Sequence, residues 1–159
     1  MEAYFDNSAT TIVTDSVKDI VVKTMTEDFG NPSAMHMVGV KAEKYIKEAQ
    51  ENIAKILKVD PKEIFFTSGG TESNNMAIIG TAMANKRKGN KIITTSVEHS
   101  SVLATMKYLE EQGFEVIYLP VDRYGVVQME ALEKEMTEDT ILVSTMYVNN
   151  EVGAIEPVG

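Results

Sequence analysis

Apolar and polar positions along this chain follow two rhythms, the first helical, the second alternating from about residue 64. Residues 1–13 read as a short polar arm centred on Asp6-Asn7-Ser8-Ala9-Thr10-Thr11. A helix is predicted from about Asp15 to Asp28. Thr14 or Asp15 can cap its start, and Gly30 with Asn31-Pro32 stops its end. A longer helix is predicted over roughly Val38 to Leu57, because Ala42, Tyr45, Ile46, Ala49, Ile53, Ile56 and Leu57 recur at three- and four-residue steps. Lys41, Lys44, Lys47 and Glu48 fall mostly on the other face. Asp60-Pro61-Lys62-Glu63 reads as a capped turn before the first strand.

From Ile64 onward short apolar runs alternate with helical ones. Strands are predicted over 64–67, 91–95, 115–119 and 140–146, and helices over 71–86, 100–112 and 129–136. Gly113 ends the second of these helices. Such alternation predicts βαβ units: an α/β fold with a mainly parallel sheet flanked by helices. Met76 and Met83, and Met129 and Met136, sit at helical spacing and read as core filler.

Three of the strands run into polar residues. The first leads into Phe66-Thr67-Ser68-Gly69-Gly70-Thr71-Glu72, a small-residue turn that opens a helix. The first N–H groups of a helix lack partners and its dipole favours negative charge, so the turn is a candidate phosphate cradle. It is equally a tight turn that binds nothing. Strand 91–95 leads to Glu98-His99-Ser100-Ser101, and strand 140–146 to Asn149-Asn150-Glu151. In open α/β sheets ligands bind outside the carboxyl ends of the strands. If these strands are parallel neighbours, Thr71, His99 and Asn150 converge on one crevice.

Composition narrows the chemistry. The 159 residues are 43% hydrophobic and 25% charged, enough for a domain with a real core. A net charge of −9, with no basic cluster beyond Lys86-Arg87-Lys88, argues against nucleic acid as a main partner. There is no cysteine, and the only histidines are His36 and His99. Disulfides, thiolate or multi-histidine metal sites and a cysteine nucleophile within this chain are excluded, and no metal is expected. No leader pattern or membrane-length apolar run is present, so a soluble cytoplasmic protein is expected. The last stretch, Asn149 to Gly159, reads as a βα loop without a stop, and the expectation is that a longer protein continues beyond it.

In order along the chain stand Asp6-Asn7-Ser8-Ala9-Thr10-Thr11, then Phe29-Gly30-Asn31-Pro32-Ser33 with His36 and Gly39. Phe66-Thr67-Ser68-Gly69-Gly70-Thr71-Glu72-Ser73-Asn74-Asn75 follows, then Glu98-His99, then Val148-Asn149-Asn150-Glu151-Val152-Gly153. Taken together these resemble the cysteine desulfurases of the NifS/IscS type, pyridoxal 5'-phosphate (PLP) enzymes of the class V aminotransferase group. The resemblance implies part of the PLP-dependent transferase, or aspartate aminotransferase-like, large domain. Residues 1–159 are then an N-terminal arm and the first half of that domain, without the C-terminal half and small domain. It implies that Gly70 and Thr71 hold the cofactor phosphate. His99 stacks on the pyridine ring and carries a proton, and Asn150 hydrogen-bonds the cofactor or substrate. The arm at Ala9 and Thr10 and the loop near His36 line the entrance.

The plainer readings are a solvent-satisfied helix-start histidine for His99, a turn-forming Asn pair for Asn150 and a loop residue for His36. The implied reaction turns L-cysteine into L-alanine and leaves sulfur as an enzyme persulfide, for iron–sulfur clusters or thiolation. The implied partners are L-cysteine, a second copy in a homodimer and a sulfur acceptor such as an iron–sulfur scaffold. The Schiff-base lysine, the partner of the pyridine nitrogen and the persulfide cysteine of such enzymes match nothing here, so the chain alone is expected to be inactive. Alternatives left open are another class V PLP enzyme, such as a selenocysteine lyase or an aminotransferase, and a non-catalytic binding or assembly fragment.

Overall fold

The computed structural model describes residues 3–157; residues 1, 2, 158 and 159, at the ends of the predicted arm and closing loop, lie outside it. The chain divides into two compact units, the first up to Phe66 and the second from Thr67.

In the first unit the polar arm leads into α1 (Asp15–Thr26) and α2 (Met37–Leu57). Thr14 is the N-cap residue of α1, yet its hydroxyl lies against Ser16 Oγ (3.2 Å) and caps no backbone N–H. His36 caps α2, its Nδ1 accepting the Gly39 N–H at 3.3 Å. A Cβ on Gly39 would stand 2.3 Å from the Ala34 carbonyl oxygen, so only glycine lets this loop close onto the helix. Asp28 ends the intervening α1 turn and accepts the Tyr45 hydroxyl at 2.6 Å. Asp60 and Glu63 form a reciprocal capping box around a short 3-10 turn, Pro61–Glu63, as the capped-turn reading predicts.

The predicted strand 64–67 does not form among the described residues. Ile64 is extended, but its N–H is bonded to the Pro61 carbonyl (3.2 Å) and its carbonyl accepts Gln50 Nε2 (2.9 Å). Local partners take both backbone groups of Ile64, and an extended segment without a ladder is not a strand.

The second unit contains α3 (Gly70–Asn85), β1 (Lys91–Thr95), α4 (Ser100–Glu111), β2 (Glu115–Leu119), α5 (Met129–Glu135) and β3 (Thr140–Ser144). The sheet is parallel throughout, in the order β2-β1-β3. Central β1 is buried along nearly its whole length and sends successive side chains to opposite faces. Ile92 packs with Ile78, Ala82, Val102, Met106, Leu109 and Phe114 beneath α3 and α4. Ile93 packs with Leu119 and Val127 beneath Ala131 and Leu132 of α5. Helices therefore cover both faces. The second helix turns off at Gly113, whose φ of +87° is the left-handed conformation that ends a helix. β3 stops at Ser144, two residues short of the predicted end, because the Met146 N–H leaves the ladder for the Glu98 carboxylate.

Candidate functional site

The strand order decides which loops are neighbours at the carboxyl end of the sheet. From β1 the chain crosses over α4 to β2; from β2 it crosses by α5, on the opposite face, to β3 on the far side of β1. The loops leaving the carboxyl ends of β1 and β3 are therefore neighbours, at the end of the sheet where open α/β folds bind ligands.

Two helices begin at this end of the sheet. Because α3 leads into the amino end of β1, its own N-terminus lies at the carboxyl end, beside that of α4. Asn74 Nδ2 of α3 donates to Ser101 Oγ of α4 at 3.0 Å, and Thr105 bonds Asn75 one turn on. The α3 N-cap is Gly69, which offers no side chain to the free N–H groups of the first turn. A Cβ at Gly69 or Gly70 would meet nothing within 4 Å, so the space before the turn is open. Glu72, in the first turn, accepts the Ser68 N–H (2.6 Å) and hydroxyl (2.7 Å). Those bonds, the hydroxyl first, hold its carboxyl below the usual range.

His99 is the N-cap of α4. Its Nδ1 accepts the Ser101 N–H at 3.1 Å and lies 2.8 Å from the Ser101 hydroxyl. A neutral ring whose Nδ1 is an acceptor carries its proton on Nε2. His99 is exposed.

Thr71 and His99 thus stand at the starts of two helices that are tied by the Asn74–Ser101 bond. Asn150 reaches the same end of the sheet on the loop after β3, but its exposed side chain bonds only Glu151 Oε1 (2.8 Å). Its neighbour Asn149 is the buried member of the pair: Nδ2 donates to the Val97 carbonyl at 2.9 Å, and Oδ1 accepts the N–H groups of Glu151 and Val152. Buried Glu98, adjacent to His99, accepts the Thr95 hydroxyl and the Met146 N–H. The sequence placed Glu98 and Asn149 in the motifs around His99 and Asn150 but gave neither a role of its own; a buried carboxylate and an exposed one look alike in a sequence. His36 lies in the first unit as the cap of α2.

Two clefts border this end of the second unit. One, of about 300 Å3, lies along α3 and α4 and includes Thr71, Asn75, Ser101 and Thr105. The other, of about 620 Å3, is lined by Val97, Asp122, Arg123, Asn149 and Val152. A charged cleft in the first unit, around Lys23, Asp28, Lys41 and Tyr45, contains none of the predicted site residues. The described residues hold no group of three or more His, Asp or Glu side chains fit for a metal ion. They also contain no helix long and apolar enough to cross a membrane.

The chain matches the family model described as aminotransferase class-V over residues 3–159. It is similar to cysteine desulfurase IscS 1 of Archaeoglobus fulgidus, 48% identical over 98% of this chain and 41% of that protein. It is likewise similar to cysteine desulfurase IscS of Methanosarcina thermophila, 50% identical over 98% of this chain and 38% of that one. Among solved structures, a NifS-like protein aligns with a TM-score of 0.92 and 49% identity, over 99% of this chain and 43% of that one. A structure described as SspA in complex with cysteine aligns with a TM-score of 0.87 and 40% identity, covering 97% of this chain and 44% of that one. The chain thus spans about two-fifths of the length of these curated relatives.

Proposed function

The chain belongs to the class-V aminotransferase family, within its NifS/IscS cysteine desulfurases, and from that premise we propose that it forms the phosphate-holding part of a PLP-dependent cysteine desulfurase. The observation that carries the reading is the juxtaposition of the α3 and α4 N-termini at the carboxyl end of a parallel sheet. A phosphate monoester fits there: free N–H groups, the Thr71 hydroxyl, an N-cap without a side chain and open space before Gly69 and Gly70.

When bound, PLP supplies the electron sink that lets bonds at the substrate's α-carbon break. Gly70 and Thr71 anchor its phosphate. His99 offers a flat, exposed ring beside it, and its Nδ1 bond to Ser101 keeps Nε2 as the atom where a proton is held or moved. Asn150 exchanges its exposed bond to Glu151 for one to cofactor or substrate. The reaction of the whole protein is L-cysteine to L-alanine, with sulfur left as a persulfide on a cysteine. This chain has no cysteine to carry that sulfur. The partners are L-cysteine, a second copy in a homodimer and a sulfur-acceptor protein such as an iron–sulfur scaffold, in the cytoplasm. The chain by itself is expected to form no alanine.

The test is borohydride reduction of the chain with PLP, followed by peptide mass spectrometry. The lysines lie on helices or in turns, except Lys91, at the amino end of β1 and paired with Glu115 and Glu135. The expected result is reversible PLP binding with no specific pyridoxyl-lysine. Absence of any PLP binding would defeat the phosphate-site reading, and a specific adduct would show a lysine at the site.

A further inference from the structure

Past the last ladder pair, Thr94 with Ser144, no backbone bond among the described residues joins the β1–α4 loop to the loop after β3. These are the loops that carry His99 and Asn150. Two buried side chains cross the gap instead, in opposite directions. Glu98 Oε1, on the β1 side, accepts the Met146 N–H at 2.8 Å. Asn149 Nδ2, on the β3 side, donates to the Val97 carbonyl at 2.9 Å. Glu98 is 8% exposed and Asn149 5%.

Each crossing bond is braced on its own side. The same Glu98 oxygen accepts the Thr95 hydroxyl at 2.9 Å, so the carboxylate is tied to the end of its own strand. Asn149 Oδ1 accepts the N–H groups of Glu151 (2.9 Å) and Val152 (3.0 Å), which folds the turn containing Asn150 around it. The turn is closed by the Asn149 N–H to Ala154 carbonyl bond at 2.8 Å. A buried polar group is costly unless bonded, and a charged acceptor makes the stronger bond. A carboxylate also suits the Glu98 position because it only accepts, and both its neighbours donate.

We propose that Glu98 and Asn149 are positioning residues that clamp the β1–α4 loop to the loop after β3 at two points, fixing His99 relative to Asn150. This rests on the reading of His99 and Asn150 as cofactor residues. Neither clamp residue touches the ligand; each acts through the loop it holds.

The experiment uses the isotope-labelled 159-residue chain. Met146 amide exchange reads the clamp, and the His99 ring 15N signals read its consequence. His36, the only other histidine, is the internal control. Asn149→Asp replaces the donor to Val97 with an acceptor that opposes the carbonyl but keeps the acceptor for the turn, whereas Asn149→Ala removes both. Asn149→Asp is expected to speed Met146 exchange about tenfold, the scale of one such bond, and to move the His99 signals while those of His36 stay. Glu98→Ala is expected to do the same, and Glu98→Gln to recover most of the wild-type behaviour. If Asn149→Asp leaves both Met146 exchange and the His99 ring unchanged, the two bonds are independent and the clamp is overturned. PLP is then added as the probe. In the wild type it is expected to shift Gly70, Thr71 and His99 together; in Asn149→Asp it is expected to shift Gly70 and Thr71 with little change at His99. No PLP-dependent shift in the wild type would overturn the cofactor-positioning role, while the exchange data would still report whether the tether exists.

Discussion

At the scale of single residues, the start of α3 makes two sharp predictions. Thr71 brings a hydroxyl to a helix start whose N-cap brings none, while the Ser68 and Ser73 hydroxyls are engaged with Glu72 and Thr67. Thr71→Ala is expected to weaken PLP binding by about 1.5–3 kcal/mol, the usual worth of a hydrogen bond to a charged group. Titration of both chains with PLP checks this, and equal affinities would remove Thr71 from the phosphate site. Glu72 makes the second prediction. Its carboxyl titrates below the usual range because Ser68 donates its hydroxyl and its N–H to the charged form. A carboxyl lowered on folding adds stability that is present above its unfolded pKa and lost as pH falls through the folded value. Acidification below the ordinary carboxylate range is therefore expected to release the Ser68 N–H and fray the first turn of α3. Exchange at Ser68 across that range checks the sign; the bond should persist at neutral pH. The sequence showed the glycines and the threonine here, but not that Glu72 folds back onto Ser68.

At the scale of elements, β1 shows how a strand's burial follows from its place in a sheet. It has neighbours on both edges and helices on both faces, so all but its first residue are buried. Thr94 is one of these, at 0% exposure, and its hydroxyl has no hydrogen-bond partner among the described residues. An unsatisfied buried hydroxyl is destabilising, so Thr94→Val is expected to raise stability by about 1 kcal/mol. Chemical denaturation of the two chains checks this, and a loss of stability would mean that the hydroxyl has a partner in solution. The strands 91–95 and 115–119 and the helices of both units were legible because their apolar periods are long and regular. The strand over 64–67 was not, because an apolar extended run says nothing about whether a ladder partner exists. Gln50 and Pro61 took those backbone groups instead.

At the scale of the whole chain, much apolar surface remains uncovered. The parallel sheet of the second unit leaves one edge of β2 and one of β3 without a strand partner among the described residues. Val143, Tyr147 and Val148, in and after β3, are exposed. In the first unit α1 buries none of its residues, and Val17, Ile20 and Val21 are all about half exposed. Free strand edges and apolar stripes favour association, so the chain is expected to sediment as a dimer or larger species. A stable monomer at high concentration would contradict this. By itself the sequence determined the order and type of nearly every element, the parallel α/β class, the helix start at Gly70 and Thr71 and the family. Those depend on local period, turn chemistry and motif spacing, which are properties of neighbouring residues. Only the tertiary structure decided the sheet order that sets β1 beside β3, the burial of Glu98 and Asn149 and their bonds between the two loops. Those depend on which distant backbone groups are left without partners once the strands have paired, and nothing local in a chain encodes that.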